Sequence, residues 1–467
     1  MATANAGAWR ELWDSGQLGR FVLLCLGVWL HAADSLVTAT AVPAIVADIG
    51  GVPFVAWTIS LYQIGAIVAG AATALLCGRH GTSRVLCAAA LLYAVGCLLA
   101  ALAPDMAVLL TARLLQGLGG GTLLSLGYVA IQQSFPEHLW GRLFGIQALI
   151  WAAGSLLGPL LGGIFVELGM WRAIFWCFAL QAALLWLLAA MLPRTTPPHR
   201  TVGRIPAVRV LVLTTATLMI AQAGVMGGVG ADLALGSVGI ALLYLAARLD
   251  RRAGDRLLPA GLLDIRQPLG AGLLTVFALS VATTGFWAYG PLLLATLFGT
   301  APLVSGYLLA GEALAWSAAT MAIAAVPAAA GRLLIRLGTA VVAAGAAGLT
   351  LAVPAGSLPG IILCQLLQGA GMGLCWPAII QRTVRCAADP ERGLAAAAPS
   401  TVQRIGLAVG AAATGIVANL SGLGDGVSAV AARTAGFWVF AAFVPVLATA
   451  LLAAWRFAAE DDRASRR

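Results

Sequence analysis

Three ionisable residues, Asp34, Arg113 and Glu312, stand inside long apolar runs of the sequence. A charge held in hydrocarbon is costly, so such groups face a bundle interior or a water-filled cavity and mark ion or proton pathways. His31 precedes Asp34 by three residues and Thr38 follows it by four, which puts all three on one face of a helix. Burial favours a protonated carboxyl, and a neighbouring cation such as Arg113 favours an ionised one. An acid balanced between the two can load and release a proton, or pair with a cationic ligand. Glu312, with Trp316 one helical turn further on, is a second acid able to do this. Trp287 and Tyr289 could wall a binding cavity, although aromatic residues in membrane helices also serve as packing and interface anchors. His31 reads equally well as a hydrogen-bonded packing residue, and Asp232 as an acid reaching interfacial water.

Other chemistries lack the residues they need. The 467 residues include no lysine, so the phosphate-cradling G-x-x-x-x-G-K-[ST] loop cannot be built. The eight cysteines form no C-x-x-C pair and the four histidines are dispersed, which supports neither a metal site nor a disulfide. No serine, histidine and aspartate fall into a catalytic arrangement. No enzyme, catalytic residue, metal or cofactor is therefore expected. The net charge of +9 comes from arginines scattered through short connections rather than gathered on one stripe, which argues against nucleic acid as a partner.

The elements that must position these residues are membrane helices. Hydrophobic residues make up 61% of the chain, charged residues only 10%, and the mean hydropathy is +0.95. Soluble domains carry about 25% charge. Apolar runs of about 20 residues, the length that crosses a bilayer, recur along the whole sequence. They contain glycine and proline and lack two-residue alternation, which favours helices over a barrel. The runs count to fourteen spans, among them 207–226, 229–248, 303–326 and 432–456.

Arginine placement tests that count. With both ends of the chain cytoplasmic, 23 of the 27 arginines fall on cytoplasmic segments; Arg172 and Arg433 fall outside, and Arg113 and Arg404 lie within helices. That asymmetry is what the positive-inside rule expects, and dropping one helix would invert it. Arg10 and Arg20 precede a first span that reads as an uncleaved anchor. The expected location is the bacterial cytoplasmic (inner) membrane, with the lipid bilayer as the main partner and a monomer as the working unit.

The sequence also repeats itself. Leu114-Leu115-Gln116-Gly117-Leu118-Gly119-Gly120-Gly121 returns as Leu366-Leu367-Gln368-Gly369-Ala370-Gly371-Met372-Gly373. A six-helix unit used twice, with two helices between, explains fourteen. The expected division is a six-helix bundle over 1–192, a linker with two spans over 193–265 and a second bundle over 266–467. Proteins built from such halves hold small molecules near the midplane between them, where Gln116 and Gln368 are expected to contribute.

Four segments now carry a resemblance, over essentially the whole length, to the fourteen-helix drug–proton antiporter branch of the major facilitator superfamily. Gly154-Ser155-Leu156-Leu157-Gly158-Pro159-Leu160-Leu161-Gly162-Gly163 matches the G-x-x-x-G-P-x-x-G-G pattern that marks antiporters there. Small residues four apart let backbones approach, and Pro159 bends the helix. Arg113 with Gln116 and Gly117 matches R-x-x-Q-G, which implies a role in proton relay. Asp34 with Ala41-Val42-Pro43 resembles the family's first-helix segment, with Ala33 in place of leucine. Arg404 resembles a recurrent family arginine and is read as structural.

The fourth segment departs from the pattern. The family's loop after the second helix reads G-x-L-A-D-R-x-G-R-R, whose aspartate and arginines latch two states together. Here Gly78 stands at the aspartate position and Thr82-Ser83 replace a basic pair, while Arg79, Gly81 and Arg84 remain. The second-half copy keeps Arg336 and Gly338 but has Ile335 for the acid. The resemblance implies the major facilitator fold and a proton-coupled exporter of a lipophilic or cationic drug-like molecule. The weakened latch leaves open an uncoupled or uptake facilitator, and a non-transporting sensor or scaffold is the reading from another class.

Overall fold

The computed structural model describes residues 17–135, 137–191, 207–223, 229–253, 259, 261–323, 326, 328–388, 391–423 and 428–459. Regular structure among them is entirely helical. The first set is α1 (Leu18–Ile49), α2 (Val55–His80), α3 (Thr82–Ala101), α4 (Met106–Ser134), α5 (Glu137–Glu167) and α6 (Trp171–Met191). Then come α7 (Ala207–Gln222) and α8 (Val229–Arg252), followed by α9 (Pro268–Phe298), α10 (Pro302–Ala322), α11 (Gly331–Ala352), α12 (Leu358–Cys386) and α13 (Arg392–Ala418). The last rod is split into α14 (Ala429–Ala441) and α15 (Val444–Ala459).

Eleven stretches among the described residues are long and apolar enough to cross a membrane, so the chain is a multi-pass membrane protein. The expected spans over 207–226, 229–248 and 303–326, now α7, α8 and α10, are not among the eleven. The run expected as one helix over 432–456 breaks at Ala442 and Phe443. Pro445 has no N–H to give the carbonyl of Ala441, which accounts for the break. Tight joints between antiparallel neighbours use glycine where the backbone turns left-handed, as at Gly81 (φ 81°) between α2 and α3.

The helices α1 to α6 pack chiefly on one another, as do α9 to α15. The two sets meet along α5 against α10, α2 against α13, and α1 against α9 and α10. An apolar cluster drawn from both sets, including Val42, Val55, Ala56, Phe286, Tyr289, Leu292 and Leu293, closes the end away from residues 17 and 459. Asn419 Nδ2 donates to the carbonyl of Pro53 at 3.0 Å across the same end. The intervening pair, α7 and α8, is tied together by an Arg209–Asp250 ion pair. Ile220 of α7 sits with Trp57 of α2 and Val409 and Ala412 of α13, so this pair leans on the seam between the sets. The side chain of Asp232 lies outside the described residues.

Candidate functional site

Asp34 lies midway along α1 and is fully buried, and Arg113 reaches it from α4. Arg113 Nη1 donates to Asp34 Oδ1 at 2.9 Å and to Gln116 Oε1 at 2.8 Å, and its Nε donates to the carbonyl of Thr58 at 3.1 Å. Gln116 is pinned in turn by Cys97 Sγ, 3.2 Å from its Nε2. The guanidinium stacks over Tyr62 with 4.3 Å from Cζ to the ring centroid. The Tyr62 hydroxyl is 2.8 Å from His31 Nδ1. Thr38 Oγ1 lies 3.4 Å from Asp34 Oδ1, a weak contact. One atom of the group is left over: Asp34 Oδ2 is buried without a hydrogen-bond partner. A buried acceptor left open is costly unless something arrives to fill it.

Glycines make this assembly possible. A methyl group on Gly117 would run into the carbonyl of Tyr62, and one on Gly121 into the backbone of Ala66, so α4 can lie directly on α2. Likewise Gly154, Gly158 and Gly162 of α5 lie against α1 around Asp34. A methyl on Gly158 would sit 2.7 Å from the carbonyl oxygen of Ala33. Gly163 and Pro159 face the other way, onto Leu303 and Gly306 of α10. The glycine-proline segment thus joins the Asp34 helix to the second set.

The second acid has a different setting. Glu312 of α10 is buried, and its Oε2 accepts from Trp287 Nε1 of α9 at 2.8 Å and from Gln365 Nε2 of α12 at 3.2 Å. Gln368 Nε2 donates to Gln365 Oε1 at 2.8 Å. Here too glycine sets the approach, because Gly369 meets the carbonyl of Glu312 and Gly373 that of Trp316. Trp316 packs edge-on against Trp376 at 5.9 Å.

The structure brings Asp34, Arg113, Gln116, His31 and Thr38 together around one ion pair, and gathers Trp287 and, through Gln365, Gln368 around the single acid Glu312. Tyr289 is not with them; it lies in the apolar closure between the sets. Arg79 and Arg84 are exposed near the α2–α3 joint. Arg336 and Gly338, expected in a connection, lie in the first two turns of α11. The Arg336 guanidinium stacks on Trp455 at 4.7 Å, and Gly338 lets α12 approach at Gly371 and Cys375. Sequence reasoning missed Tyr62, Gln365 and the Thr58 carbonyl. The repeat held the signal for Gln365, which precedes Gln368 by three residues just as Arg113 precedes Gln116.

Two sets of helices meet face to face, with an ion pair buried inside one and a carboxylate inside the other, and the family match makes this arrangement a membrane transporter rather than an enzyme. The chain belongs to the Major Facilitator Superfamily, whose family model matches residues 24–311. It is 29% identical over 485 residues to a probable multidrug-efflux transporter of Mycobacterium tuberculosis, covering 99% of each chain. It is 26% identical to an uncharacterized transporter of Escherichia coli, over 86% of this chain and 90% of that one. Among solved structures, a D-xylose-proton symporter superposes with a TM-score of 0.66, covering 94% of this chain and 97% of that one at 17% identity. That likeness concerns the fold alone.

Proposed function

We propose that the protein is a proton-coupled antiporter exporting a lipophilic or cationic drug-like small molecule by alternating access. The observation that carries the proposal is the buried Asp34–Arg113 pair with Asp34 Oδ2 left open. A proton arriving at that oxygen neutralises the carboxylate and loosens its hold on Arg113. Arg113 touches α2 through Thr58 and Tyr62, so the loosening is felt where α2 meets α13. Glu312 is the second proton site, on the opposite set. Export is supported by the α5 glycine-proline segment and by the multidrug-efflux description of the mycobacterial relative.

In this reading α7, α8 and α10 also cross the bilayer, giving fourteen spans grouped over 1–192, 193–265 and 266–467. Both ends of the chain lie on the cytoplasmic side of the bacterial inner membrane, and the monomer transports. An uncoupled or uptake facilitator is the second reading. It is favoured by the latch positions, since Ile335 is sealed in an apolar cluster where an acid would be needed. Inverted vesicles carrying wild type or Asp34→Asn separate the two. Loss of pH-driven substrate accumulation in the variant supports antiport, whereas equal accumulation removes Asp34 from the mechanism.

A further inference from the structure

Arg404 occupies the middle of α13, and its helix turn faces the other set. Ser60 Oγ of α2 donates to the carbonyl of Ala408, one turn further along, at 3.3 Å, and Ile405 packs against the core of the first set. The Arg404 guanidinium stands within electrostatic reach of His31, Tyr62 and Tyr128, all on the first set. It is nevertheless unlike Arg113. Arg113 is sealed by a carboxylate, an amide and a carbonyl, whereas Arg404 is partly exposed and has neither an ion pair nor a hydrogen bond among the described residues.

Tyr128 of α4 is 48% exposed and lies within electrostatic reach of Arg404 across the seam between the sets. Trp151 of α5, 38% exposed, packs its ring 5.6 Å from that of His31. A cation at membrane depth with no counter-charge among the described residues is costly, and an anionic group beside it would offset that cost. Arginine offers two parallel donors suited to a carboxylate, and the aromatic rings offer an apolar wall beside it.

We propose that Arg404 anchors an anionic group, a carboxylate in the first instance, on a lipophilic molecule bound between the helix sets against Tyr128 and Trp151, the latter backed by buried His31. This deepens the transport reading and rests on it, replacing the structural role expected for Arg404 with a ligand-binding one. It also narrows the substrate class, from lipophilic or cationic molecules to those bearing an acid, zwitterions included. Trp151 packs on His31, His31 meets Tyr62, and Tyr62 stacks on Arg113, so the wall of the site is linked by contacts to the Asp34 pair.

The test titrates purified full-length protein in lipid nanodiscs with three probes on one ring system: anthracene carboxylate, anthracene carboxamide and the aminomethyl anthracene cation. Quenching of protein tryptophan fluorescence reports binding. Wild type should prefer the carboxylate over the carboxamide by about tenfold or more, the value of one charge-assisted pair. Arg404→Gln should abolish that preference while its carboxamide affinity stays within about twofold, and Arg404→Lys should keep part of the preference. Equal affinity of wild type for carboxylate and carboxamide, a preference for the cation, saturable quenching by none of the three, or a parallel loss of both neutral and anionic binding in Arg404→Gln would overturn the proposal. Carboxylate preference together with proton-independent transport would leave this site standing and sink the antiport reading instead.

Discussion

The two halves use the same helix-packing device to bury different electrostatics. Gly117 and Gly121 seat α4 on α2 at Tyr62 and Ala66, and Gly369 and Gly373 seat α12 on α10 at Glu312 and Trp316. A polar pair three residues apart precedes the glycines in each: Arg113 with Gln116, and Gln365 with Gln368. In the first half the arginine brings a full charge, met by a carboxylate from α1. In the second half glutamine stands in the arginine's place, and the carboxylate on α10 has only neutral donors among the described residues. The first site is a closed ion pair whose members depend on each other; the second is a single acid held by dipoles. Removing one member of a buried pair strands the other charge, while neutralising the lone acid strands nothing.

That difference ranks the expected effects of mutation. The largest belongs to Arg113→Gln or Asp34→Asn. Each should cost about 3–5 kcal/mol, seen as a large fall in Tm of the purified protein, together with loss of pH-driven transport. The double variant Asp34→Asn/Arg113→Gln should recover much of the stability and none of the coupling. If either single variant melts like wild type, the first site is not a closed pair. Next comes Gly158→Ala, whose methyl would press on the Ala33 carbonyl and force α5 off α1. It should lower stability by about 1–3 kcal/mol and slow transport, as read in the same two assays.

Glu312→Gln should leave Tm nearly unchanged, because a glutamine carbonyl still accepts from Trp287 Nε1. Its effect should be confined to the pH dependence of transport. A melting loss as large as that of Asp34→Asn would erase the contrast between the halves. The smallest effect is expected for Gln365→Leu, which removes one donor to Glu312 and costs about 0.5–1.5 kcal/mol.

Much of this arrangement is legible in the sequence because membrane helices leave few polar residues to explain. Asp34, Arg113 and Glu312 stand out as rare charges in apolar runs, and the repeated glutamine-glycine segment relates α4 to α12. What the sequence hides is pairing across helices. Nothing in it says that Tyr62 rather than another aromatic residue stacks on Arg113, because α2 meets α4 through backbone contacts at glycine. Trp287 and Tyr289 look alike in the sequence, yet two residues of helical rotation send one to Glu312 and the other into the apolar closure. For Arg404 likewise, residue type shows that a charge lies in an apolar run, not which groups meet it. Boundaries shifted where proline decides, as at Pro445.

The central claim, that Asp34 couples transport to protons, is tested most directly by the pH inside acidified inverted vesicles while a transported compound is added. Wild type should let protons out as the compound enters, dissipating the gradient, and Asp34→Asn should leave the gradient intact. Compound entering both at the same rate with no proton movement would contradict the account.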